Sequence, residues 1–145
     1  MALTTITSSN AVMTLTAVGL FPAPIQIDGW SSDSSFTHDA AELAEVQMGV
    51  DGRMTAGYTP TVRTQTLKLQ ADSPSRALFN VLTQTMEVQR EIVWLSGSIS
   101  IPSVGEVYTF TKGVIQSSPA ALSAQKVLQP VEYKIVWESV KRSLI

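Results

Sequence analysis

The chain has 145 residues, enough for one domain with a hydrophobic core. Apolar residues make up 44% and charged ones only 15%, and the net charge of -2 argues against a dedicated nucleic-acid binder, which usually shows a basic face. The absence of cysteine excludes a disulfide framework or thiolate metal site, and no apolar run is long enough to span a bilayer as a helix.

Residues 1–9 are small and polar and read either as a disordered tail or as an N-terminal arm that orders on a neighbour. Met1 to Ile6 lacks the basic and continuously apolar regions of a signal peptide, so folding in a cytoplasm is expected. From Asn10 to Leu20, Met13, Leu15 and Ala17 alternate with Val12, Thr14, Thr16 and Val18, the period of a half-buried strand. Pro22 and Pro24 remove ladder donors and are expected to break that strand, leaving Ile25–Ile27 as a short one ended by Asp28-Gly29. Residues 28–43, rich in Ser and Asp, read as a polar surface loop.

Ala44 to Tyr58 reads as a hairpin. Val46, Met48, Val50, Met54 and Ala56 share one apolar face, and Glu45, Gln47, Gly49, Arg53 and Thr55 share the other. Asp51-Gly52 is a turn signal that predicts a type I′ turn. The apolar face is expected to pack on the core. Gln65, Leu67 and Leu69 then lie on one face of a strand. At Asp72-Ser73-Pro74-Ser75 the period changes to that of a helix over about 74–90, with Leu78, Leu82 and Met86 on its buried stripe. Asp72 or Ser73 is expected to accept a bond from the first turn, with Pro74 as the first helical residue. Strands follow over 92–101, 106–116 and 126–140, the first two joined by Pro102-Ser103-Val104-Gly105. In the last, Val131, Tyr133, Ile135 and Trp137 face one way.

Chemistry is sparse. Asp28, Asp33, Asp39, Glu42, Glu45 and Asp51 cluster in sequence, but their spacing matches no calcium loop and no second cluster completes an acid–base site. They read as a solvated acidic face. His38 is the only histidine and reads as an exposed loop residue. Gly49, Gly52 and Gly57 are not followed by a helix, so they form no phosphate loop. The expectation is a chain that is not an enzyme, with no catalytic residues, metal or cofactor.

Glu45 to Thr55, with its Gly-x-Asp-Gly turn, then Thr66-Leu67-Lys68-Leu69 and Ser73-Pro74-Ser75, resembles the tail tube proteins of contractile-tailed bacteriophages. The strands Phe110–Ser117 and Val131–Glu138 are similar too, and the likeness runs from about Ile25 to Val140. It implies a mainly β fold, a tail-tube-type β-sandwich or half-barrel of about seven or eight strands with one flanking helix. It also implies a structural virion protein, whose hexameric rings stack into the inner tail tube through which DNA is ejected inside a contractile sheath. Homo-oligomer contacts, sheath, baseplate and tail terminator proteins, a tape measure protein and, transiently, DNA would be its partners, with no membrane. Its place would be the virion tail, assembled in the host bacterial cytoplasm. A tube subunit of a pyocin or type VI-like secretion machine shares that fold. A monomeric β-sandwich binding module is the other alternative, but it would gather aromatics on one exposed face, and here they are scattered.

In a tube, open sheet edges could close between subunits. With the apolar hairpin face toward the core, Glu45, Gln47, Gly49, Arg53 and Thr55 would face the channel, where carboxylates repel phosphate. Asp51 and Gly52 would sit at the rim between rings.

Overall fold

Nine strands and one helix form over residues 11–30, 36–119, 121 and 126–144, which the computed structural model describes. The proposed arm at 1–9 lies outside the described residues, as does the run Ser31–Ser35. The fold is mainly β, in two antiparallel sheets.

The larger sheet has the order β2-β1-β7-β8-β9-β6-β3. Its strands are β1 (Val12–Ala17), β2 (Phe21–Gln26), β3 (Phe36–His38), β6 (Arg63–Leu69), β7 (Leu95–Ile101), β8 (Glu106–Ser117) and β9 (Val131–Leu144). The smaller sheet is the hairpin β4 (Ala44–Met48) and β5 (Met54–Tyr58). The alternation of the sequence places side chains as expected. Met13, Leu15 and Ala17 of β1, Gln65, Leu67 and Leu69 of β6, and Val131, Tyr133, Ile135 and Trp137 of β9 are all buried on one face.

The helix α1 (Arg76–Gln89) carries the chain from β6 to β7 across the intervening β8 and β9. It buries Leu78, Phe79 and Leu82 in the core, with Met86 partly covered. Phe79 stacks on Tyr133 with ring centroids 4.4 Å apart. Trp137 is wholly buried beside Phe110, at 5.1 Å. Its ring lies so close over Gly113 that any side chain there would collide with it.

Ser73-Pro74-Ser75 does more than cap: Ser73 Oγ accepts from the Ser75 amide at 3.3 Å at the helix entry. Ser75 ends the approach to α1 without a side-chain cap bond, and Pro74 stands before it instead of opening the helix. The two hydroxyls also reach back. Ser75 Oγ accepts from the Asp28 amide at 2.8 Å, and Ser73 Oγ donates to the Asp28 carbonyl at 2.5 Å. Gly29 turns tightly beneath them at φ +76, where a Cβ would strike Ser73. This clasp fastens the end of the β1–β2 unit to the entry of the helix. A buried hydroxyl needs a partner, and the Asp28-Gly29 backbone supplies it.

Other expectations are corrected. The prolines do not end pairing: β2 runs through both as an edge strand, in register with β1 at Thr14↔Gln26 and Leu15↔Ile25. An edge position leaves one side of the strand unpaired, so missing donors are tolerated there. The stretch 28–43 contains β3, because Phe36 packs against the core and pairs with Leu67. The larger sheet therefore ends in a proline-bearing strand on one side and a three-residue strand on the other. Both are devices that blunt an edge against pairing.

Candidate functional site

The hairpin departs most from expectation. Its register is the one that alternation gives: Val46 lies opposite Ala56, Met48 opposite Met54, and Gln47 opposite Thr55. Its apolar face, however, does not meet the core. Every residue of β4 and β5 is exposed, and the partner in-chain for Val46, Met48, Met54 and Tyr58 is solvent, at 56 to 73% exposure. Alternation fixes which side chains share a face, but not what covers that face.

The turn also differs. Gly52 has φ +85 but Asp51 is not left-handed, so this is not a type I′ turn. The Gly52 amide bonds to the Gly49 carbonyl at 3.0 Å, and the Gly49 amide to the Arg53 carbonyl at 2.8 Å. That is a three-residue loop, a turn through Val50 and Asp51 closed by a left-handed glycine. Asp51 Oδ1 accepts from the Arg53 amide at 3.1 Å and fixes the tip. The hairpin root is tied by the Thr59 amide to Leu43 O at 3.1 Å, and by Thr61 Oγ1 to Glu42 O at 3.3 Å.

Glu45, Gln47 and Thr55 line a shallow groove with Gly57 and Thr59 on the polar side of the ribbon. Asp51 and Gly52 form its tip. Asp33 lies outside the described residues, and among the described ones no three His, Asp or Glu side chains gather as a metal site would require. His38 lies on β3, not in a loop. Its ring stacks on Phe110 at 5.7 Å, and its Nε2 lies 3.0 Å from Gln65 Nε2.

A second surface was not read from the sequence. The face of the larger sheet turned away from the core is dense in hydroxyls. Thr14, Ser98 and Thr109 stand in one cross-strand row, and Thr14 Oγ1 bonds Ser98 Oγ at 3.1 Å. Thr111 and Ser139 pair similarly at 2.6 Å. The signal lay in the residues between the apolar ones of β1, β6, β7 and β8, most of them Thr or Ser. Lys112, at φ +53, marks a kink beside this face, with its ammonium over Trp94 and 3.4 Å from Glu138.

Residues 4–141 match the family described as "Tail fiber protein gp32". No curated protein matches the chain. In fold, the chain is similar to one in the cryo-EM structure of the anti-feeding prophage cap, described as its tube terminating cap. The TM-score is 0.63 at 11% identity, over 100% of this chain and 95% of that one. It is also similar to a chain of the anti-feeding prophage baseplate, 6-fold symmetrised, with TM-score 0.60 and 9% identity, over 99% of this chain and 97% of that one. A chain of the sheath–tube complex of an extracellular contractile injection system, PVC, in its extended state, gives 0.52 and 12%, over 92% and 88%. At such identities the likeness is one of fold.

Proposed function

The chain belongs to the tail fiber protein gp32 family, and from that premise we propose that it is a structural, non-catalytic subunit of a contractile tail or tail-like injection particle, assembling with copies of itself into stacked rings around a channel. The single observation that carries this reading is the hairpin, an apolar ribbon held away from its own core. The fold shared with chains of cap, baseplate and sheath–tube assemblies supports it, and the 6-fold symmetry of one of those assemblies favours a hexamer. Tube, sheath, baseplate, terminator and tape measure proteins, with DNA in passage, are the proposed partners. The particle's tail is the proposed location.

Magnitudes agree with repeated contacts. Covering a Val or Met side chain contributes about 1.5–3 kcal/mol, while bringing two chains together costs about 4–15 kcal/mol. One hairpin face barely offsets that cost. A closed ring repeats the contact around its circumference without an end, and so makes it effective. The larger sheet blunts its own edges, so the hairpin and not an open sheet edge drives this association.

With the apolar face on a neighbour, Glu45, Gln47, Gly49, Arg53 and Thr55 are left for the channel, and Asp51 and Gly52 for the contact between rings. The hydroxyl face of the larger sheet favours a second reading, in which that face lines the bore: it is dense in Thr and Ser, with Lys68 paired across from Glu132. Single cysteines at Gln47 and at Ser98, labelled with a bulky maleimide after assembly, separate the two. The residue in the bore is labelled only through the tube ends.

Negative-stain microscopy with light scattering tests the assembly itself. Rings or tubes are expected from the purified chain. A monomer that persists at high concentration, with no rings, contradicts the proposal.

A further inference from the structure

The indole Nε1–H of a tryptophan can only donate. In Trp137 it donates to Gln65 Oε1 at 2.9 Å, and both residues are wholly buried. That bond fixes the Gln65 amide, because its oxygen must point to the indole. Its Nε2 is then a donor, and it lies 3.0 Å from His38 Nε2. His38 Nε2 must therefore accept. The three residues together assign His38 as a neutral imidazole with its proton on Nδ1.

A proton on His38 Nε2 would set two donors face to face. Turning the Gln65 amide over repairs that contact but breaks the other, since its nitrogen would then meet the Trp137 indole. Gln65 has one oxygen, at one end of its amide, and two donors would claim it from opposite ends. One bond is lost in either arrangement, and at the tryptophan end the loss is in a fully dry site.

The segment that leads into the hairpin lies next to this chain of bonds. β3 is held at the sheet edge by β6 alone, through the pairs Phe36↔Leu67, Thr37↔Thr66 and His38↔Gln65. The next amide, Asp39, bonds to Thr64 O at 3.0 Å. Beyond it, Ala41 and Leu43 at the hairpin root share with His38 the wall of a cavity of about 480 Å³. We propose that the Trp137–Gln65–His38 chain is a proton-sensitive latch on the hairpin root, closed while His38 is neutral and opened when it is protonated.

The groups around the ring agree with a switch on the acid side of neutrality. Asp39, on its own strand, favours the imidazolium. Burial against Phe110 and the Gln65 amide opposes it and dominates, so His38 titrates below its ordinary 6.5 even though the residue reaches solvent. From β6, Arg63 lines the cavity, with its guanidinium engaged by Thr61 O and Oγ1 at 3.0 and 2.9 Å. From β8, Tyr108 donates to Glu106, and this bond raises its pKa, so it stays neutral. β9 offers the cavity only Trp137 and Val140, and the hairpin root only Ala41 and Leu43. Folded His38 holds its proton less well than the unfolded chain does. The latch is complete above about pH 6.5 and is lost as pH falls through the lowered folded value.

The test is an NMR titration of the whole chain in its dispersed state, reading the imidazole nitrogens and the protection of the Asp39 amide together. Between about pH 7.5 and pH 5 that protection, corrected for intrinsic exchange, is expected to fall about tenfold, the loss of one hydrogen bond's worth of closure. Gln65→Glu gives His38 a carboxylate to donate to, so its titration should move above 6.5 and β3 should stay protected at the lower pH. His38→Gln should make the protection independent of pH. A wild-type His38 with its neutral proton on Nε2, a titration at or above 6.5, or Asp39 protection that ignores the titration overturns the proposal.

Discussion

β9 and the hairpin are built from the same pattern. Val131, Tyr133, Ile135 and Trp137 alternate with polar residues, and so do Val46, Met48, Met54 and Ala56. In β9 the apolar face lies under α1, and Tyr133, Ile135 and Trp137 are at most 2% exposed. In the hairpin it lies in solvent. The difference is one of surroundings. β9 is paired on both sides, by β8 and β6, and roofed by a helix. The hairpin pairs only with itself. A two-stranded ribbon alone is at best marginally stable in water; under the proposed assembly its apolar face is a surface kept for another chain, whereas that of β9 is spent on folding.

If this contrast is right, substitutions in the two regions should act on different quantities. The largest effects on stability belong to the body. Phe79→Ala should cost about 3–5 kcal/mol and Leu82→Ala about 2–5 kcal/mol, both read by urea unfolding. Values near zero would mean that α1 does not roof the sheet. Next comes the clasp. Gly29→Ala combines a left-handed backbone with a collision at Ser73, and should cost about 1–3 kcal/mol. An unchanged midpoint would show that the turn relaxes freely.

The body was legible because its pattern and its surroundings agree. Residues 131–137 name their own buried face, and Leu78 and Leu82 theirs. Phe79 was missed because the helical stripe was placed on its neighbours, and the aromatic partner that draws it inward, Tyr133, is far away in sequence. The prolines of β2 were misjudged because an edge position is set by the whole sheet, not by the segment. Ser73 was read only as a local acceptor, yet its hydroxyl and that of Ser75 also reach a partner 45 to 47 residues away. The kinship with tail proteins could be read from the hairpin and Ser-Pro-Ser stretches, and the match to a tail fiber protein family agrees with it. The faces of the paired residues 44–48 and 54–58 were read correctly, but Val50 lies in the loop and not on the apolar face, and the ribbon's distance from the core was missed, because alternation carries no information about depth.

In the hairpin, the effect should move from stability to association. Met48→Asp with Met54→Asp should leave the unfolding free energy within about 0.5 kcal/mol of wild type, as for other exposed sites, while abolishing rings. A large loss of stability in the dispersed chain would instead place this face on the core. The smallest effect belongs to the ribbon's other side. Glu45→Lys should alter neither folding nor ring formation. In particles it should slow DNA delivery if this side lines the bore, because an added cation holds phosphate. Unchanged delivery removes Glu45 from the channel.

Hydrogen–deuterium exchange of the same chain before and after assembly tests the contrast most directly. The amides of Arg63–Leu69 and Val131–Trp137 should be protected in both states. Those of Ala44–Met48 and Met54–Tyr58 should exchange rapidly in the dispersed chain and slowly in the assembled one. Equal protection of the hairpin in both states would contradict the claim that its apolar face is reserved for a neighbouring copy.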